Sequence, residues 1–94
     1  MTGDSKFKVV DYTNFSLGEG LLVVPIVNEV SDTSQTLYLE KVSLEIWNML
    51  INMKTISEIT KKIAELYEAE FETIEKDVYQ FIDKLVREGY VSEY

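Results

Sequence analysis

The groups that could do chemistry in this 94-residue chain are carboxylates, hydroxyls and lysines, because it contains neither histidine nor cysteine. The commonest general base, the usual zinc ligands, thiolate nucleophiles and disulfides are therefore absent. Paired carboxylates exist, for example Asp77 and Asp83. A helix would set them roughly 120° apart, so they do not converge on one substrate atom. Gly18 and Gly20 lack the lysine and helix that complete a phosphate-cradling loop. Asp32-Thr33-Ser34 offers too few oxygens for a cation cage. No catalytic residue, metal ligand or cofactor site is expected.

Charge narrows the partners. Seventeen acids against nine bases leave a net charge of −8. Glu65, Glu68, Glu70, Glu72, Glu75 and Asp77 fall within thirteen residues, with Lys76 the single base among them. Such a field repels phosphate backbones and anionic lipid. It serves either as a solvated surface or to steer a partner with basic groups. Lys61-Lys62 is the only basic doublet, which argues against nucleic acid.

The elements that must position any site follow from periodicity. Residues 7–10 and 21–27 are β-prone, and residues 35–39 alternate, with Gln35, Leu37 and Leu39 against Thr36, Tyr38 and Glu40. Residues 14–20, with Gly18 and Gly20, read as a loop, and residues 28–34 as a turn. Pro25 lies within the second strand, which demands a free edge or a bulge there. The three strands suggest a small antiparallel sheet.

Three helices follow. Val42, Ile46, Met49, Leu50 and Met53 set an apolar stripe over 41–52, with Trp47 expected in the core. Thr55 and Glu58 form a capping box that opens a helix over 56–67, lined by Ile56, Ile59, Ile63 and Leu66. Ile74, Val78, Phe81, Ile82 and Leu85 share one face of a helix over 73–88, which Gly89 stops. Glu58–Lys62, Glu72–Lys76 and Asp83–Arg87 are acid-first pairs four residues apart. The expectation is one domain over 1–94, of α+β class: a winged helix-turn-helix-like fold in which a three-stranded antiparallel sheet precedes three helices. Such a chain suits peptide recognition, because an exposed sheet edge accepts an extended segment as an extra strand.

The helical part resembles the PqqD-like proteins, the recognition elements for ribosomally made, post-translationally modified precursor peptides. The resemblance rests on Leu39-Glu40, Ile46-Trp47, Thr55-Ile56-Ser57-Glu58-Ile59, Tyr67, Asp77-Val78-Tyr79-Gln80-Phe81-Ile82 and Gly89-Tyr90-Val91. It covers roughly residues 37 to 91; the first 36 match only in strand order. Glu40 stands where the pattern has asparagine, and Asn52-Met53-Lys54 where it has an Asp-Gly turn. The resemblance implies a non-catalytic adaptor. It would bind the leader segment of a precursor peptide and deliver it to a modifying enzyme such as a radical-SAM enzyme, a cyclase or a leader peptidase. The leader would join the sheet beside the third strand and lie against the third helix. The residues carried over are Thr36, Leu37, Tyr38 and Leu39 on the strand, with Asp77, Phe81 and Lys84 on the helix.

Two questions stay open in the sequence. Leu37 and Leu39 alternate with Tyr38, so one set faces outward. The flank with Asp77 and Lys84 competes with the flank of Glu75, Tyr79 and Val86 as groove wall. The alternative function is a winged-helix regulatory module binding protein or nucleic acid. Met1 to Lys8 has no signal-peptide core, and no apolar run nears the ~18 residues of a membrane span. A cytoplasmic protein without a membrane partner is expected, with a homodimer through the free sheet edge as a further route.

Overall fold

The computed structural model describes residues 1–27, 30–31 and 36–94. Its elements run β1 (Phe7–Val9), β2 (Tyr12–Leu17), β3 (Gly20–Val27), β4 (Val30–Ser31), β5 (Leu37–Leu39), α1 (Val42–Ile51), α2 (Ile56–Leu66), α3 (Phe71–Arg87) and β6 (Val91–Glu93). β3 is central. β2 pairs with it on one side; β5 and β4 share the other, against Leu21–Val23 and Ile26–Val27 respectively. The antiparallel sheet is thus three strands wide and precedes three helices, as the sequence suggests.

Two strand assignments need correction. Residues 14–20 are not a loop: Tyr12–Leu17 is a strand, joined to β3 by the two-residue connection Gly18-Glu19. Gly18 has φ +62, the left-handed geometry that glycine adopts at no steric cost. A glycine first in such a connection matches the twist of a tight hairpin. The 7–10 segment is a strand over Phe7–Val9, but it does not join the main sheet. It pairs with β6, Phe7 opposite Glu93. Of the 28–34 turn, Val30–Ser31 form β4 and the rest lies outside the described residues, as do Asp32 and Gln35.

Pro25 finds the free edge it needs. The Ile26 amide donates to the Asp11 carbonyl, toward β2. Successive amides point to opposite edges, so the Pro25 nitrogen points away from β2. There β5 pairs only as far as Val23 and β4 only from Ile26, so no described ladder bond is lost.

Local chemistry fixes the helix ends. Thr55 accepts from the Glu58 amide at 3.2 Å while Glu58 accepts from the Thr55 amide at 3.0 Å, so the capping box is formed. Glu58 therefore turns back to Thr55 rather than forward to Lys62. Asp83 and Arg87 do form their ion pair. All three helices end on a left-handed residue: Met53 (φ 62), Glu68 (φ 50) and Gly89 (φ 82). The following amides of Lys54, Ala69 and Tyr90 reach back to the carbonyls of Met49, Ala64 and Leu85, which satisfies groups the helix leaves orphaned.

The core lies between the helices and one face of the sheet. Val23 and Leu39 from the sheet meet Ile46, Trp47, Leu50, Ile59, Ile63, Val78, Ile82 and Leu85. Trp47 is fully buried, and Tyr12 meets it edge-on with ring centroids 5.4 Å apart. No described helix is long and apolar enough to cross a membrane.

Candidate peptide-binding edge

β5 supplies the candidate edge. It pairs with β3 on one side, and among the described residues no strand pairs with it on the other. Its short sequence, Leu-Tyr-Leu, divides its side chains between the two faces of the sheet. Leu39 is buried and Leu37 half-buried, both in the core. Leu39 can therefore offer a ligand only its backbone. Tyr38 is 43% exposed on the opposite face. Thr36, just before the strand, is exposed.

Tyr38 is braced rather than free. Its hydroxyl donates to the Leu17 carbonyl at 3.1 Å and lies 3.4 Å from the Glu40 carboxylate. To reach β2 it passes over Gly20, where a side chain would collide with the phenol. Loss of solvent, then the charge of Glu40, raises the hydroxyl's pKa above its ordinary value.

On α3, Asp77, Phe81 and Lys84 are spaced four and three apart and form one stripe. Asp77 and Lys84 are exposed, and Phe81 is half-buried against the core. The opposite flank meets another part of the chain: Met1 lines a shallow cavity with Tyr79, Gln80 and Asp83. The N-terminal segment is held there by its own bonds. Ser5 donates to Glu93 at 2.8 Å, and the Gly3 carbonyl accepts from the Ser57 amide at 2.9 Å. The fold thus brings Leu37, Leu39 and Phe81 into one core and aligns Asp77 with Lys84 beside it. Tyr38 is set apart on the far face of the sheet, because α3 packs on the Leu39 side.

Among the described residues, no three acidic side chains converge as a metal site would require. The arrangement offers backbone donors and acceptors at a strand edge, apolar surface and scattered charge, which is the equipment of peptide binding.

The model of the family described as coenzyme PQQ synthesis protein D (PqqD) matches residues 28–91, more than half of the chain. The chain belongs to the PqqD family. Among solved structures, this PqqD-family chain is similar to TbiB1 in complex with the TbiA(beta) leader peptide. The identity is 22% and the TM-score 0.77, over 93% of this chain and 96% of that one. At that identity the likeness establishes the fold, over a larger share of the chain than the family match covers. No curated protein sequence matches the chain.

Sequence reasoning missed Gly20 in this PqqD-family domain. Its role depends on the register that places Tyr38 beside it, and register is not written in either residue alone. Nothing local marks β6 as a paired strand, because its partner β1 lies at the other end of the sequence.

Proposed function

We propose that the chain is a non-catalytic adaptor that binds the leader segment of a ribosomally synthesised precursor peptide by strand addition at the outer edge of β5. The observation that carries this reading is that edge: a three-residue strand, paired on one side, in a domain of the PqqD family. The leader-bound state of TbiB1, which shares the fold, supports it. Backbone groups of Leu37–Leu39 would give affinity, while Thr36, Tyr38 and the Asp77–Phe81–Lys84 stripe would give selectivity. The Asp77 flank is the one the family pattern carries over, and Tyr79 on the competing flank shares a shallow cavity with Met1.

The adaptor would then present the leader to a modifying enzyme, of the radical-SAM, cyclase or leader-peptidase kind. A second copy could pair with the same edge, so leader and homodimer would compete for β5. The regulatory winged-helix reading is less well supported: the exposed part of α3 carries Glu72 and Asp77 as well as Lys76, Lys84 and Arg87, with Glu88 just past its end, which neutralises few phosphates.

An amide chemical-shift titration of the labelled protein with the leader half of a precursor peptide tests the reading. Shifts concentrated in residues 36–40 and along the Asp77–Lys84 stripe are expected. A folded protein that shows no shifts with several such leaders would return the domain to a regulatory role.

A further inference from the structure

The outward face of the sheet is apolar where an antiparallel sheet facing water is ordinarily polar. Register places Phe15 opposite Leu22 and Leu22 opposite Tyr38, so the three form one row across β2, β3 and β5. Leu17 continues the face, opposite Gly20. Phe15 and Leu17 are each 55% exposed. On the helix side of the same strand stand Asn14 and Ser16, both exposed. Beyond Tyr12, which packs on Trp47, the alternation over residues 14–17 is therefore inverted relative to what burial within this domain would select.

The patch is preformed. Tyr38 is fastened to the Leu17 carbonyl and seated over Gly20, so little side-chain freedom remains to be lost on contact. Its margin is acidic: Glu40 lies against the Tyr38 hydroxyl, and Glu19 occupies the hairpin tip beside Leu17. A contiguous apolar patch with a charged margin marks an interaction surface.

We propose that this face docks a partner protein whose contacting surface is apolar at its centre and carries lysine or arginine at its margin. Charge selects that occupant. A second copy would bring two acidic margins and two chains of net charge −8 together, and an anionic membrane is repelled in the same way. The inference goes beyond leader binding and survives its failure. The docking face is centred on Phe15, Leu17 and Leu22 on the flat of the sheet, whereas the leader would pair with backbone at the edge of β5, and Tyr38 alone borders both. A strand added beside β5 would widen this face without covering it.

The test uses the whole labelled chain and two synthetic amphipathic helical peptides, one with lysines flanking a leucine stripe and one with glutamates in their place. The lysine peptide is expected to shift the amides of residues 12–22 and 38. It should bind at least ~10-fold more tightly than the glutamate peptide, a difference of about 1.4 kcal/mol. Phe15→Ser with Leu17→Ser should abolish those shifts while leader binding persists. Glu19→Gln, which leaves the apolar row intact, should weaken the lysine peptide alone. Shifts that fall instead on the acidic α2–α3 surface, or that persist in the double variant, overturn the proposal. So does sedimentation in which the wild-type chain dimerises alone at micromolar concentration and the double variant does not, which would assign the face to a second copy.

Discussion

Tyr38 occupies the space that a side chain at position 20 would need. A Cβ on Gly20 would collide with the phenol and sit 2.7 Å from the Leu39 carbonyl, which is backbone and cannot rotate away. Gly20→Ala should therefore push β5 off β3. A loss of about 1–3 kcal/mol is expected, the usual cost of overpacking, read by urea unfolding. Leader affinity should fall with it, because the edge that would accept the leader is displaced. Unchanged stability in Gly20→Ala would show that β5 is free to shift.

Trp47 stands at the centre of the core, with no solvent exposure and Tyr12 against its edge. Trp47→Ala should cost about 3–5 kcal/mol, measured by chemical denaturation. Among the described residues its indole N–H has no hydrogen-bond partner. Trp47→Phe removes that buried polar group and should cost less than the alanine variant.

Met53 holds φ 62 at the end of α1, a conformation that costs an ordinary L-residue about 1–2 kcal/mol. The family pattern noted in the sequence has an Asp-Gly turn at this point. Met53→Gly should relieve the strain and raise the unfolding midpoint, with a net gain of about 1 kcal/mol after glycine's entropic cost. Because Met53 is exposed, little packing is lost. A lower midpoint would mean that the side chain contributes more than its exposure suggests.

Glu58 gives α2 a pH-dependent start. The Thr55 backbone and hydroxyl hold its carboxyl below the ordinary value of 4.5. Folding thus favours the ionised form. Its contribution is present above the unfolded value and is lost as pH falls through the lowered, folded one. Melting temperature should decline on that acid limb, and more steeply for wild type than for Glu58→Gln, which keeps a capping acceptor but does not titrate. Parallel limbs would remove Glu58 from the acid transition.

Lys84 is exposed on the α3 stripe and makes none of the ion pairs described above. Lys84→Glu should leave the circular dichroism spectrum unchanged and weaken leader binding by about tenfold, or ~1.4 kcal/mol. Wild-type affinity in a folded variant would move the groove off this flank. Tyr38→Asp is the poorer probe, because it also removes the contact with Leu17 that braces β5.

The sequence by itself determined the three helices and their order, the capping box, the glycine stop at position 89, the core placement of Trp47 and a side-chain inventory without histidine or cysteine. These are local properties: helix bonds span four residues, and caps read the next three. Tertiary structure decided which strands pair. Phe7 meets Glu93 across almost the whole chain, and no periodicity announces a partner so distant. β2 looked like a loop because, after Tyr12, its polar Asn14 and Ser16 lie on the helix side while Phe15 and Leu17 face outward, against the pattern that burial writes. Tertiary structure also turned Leu37 and Leu39 inward, Tyr38 outward, and set Met1 against one flank of α3. A helix or strand displays both faces equally in sequence. Only the packing of the remaining chain makes one of them a wall and leaves the other open.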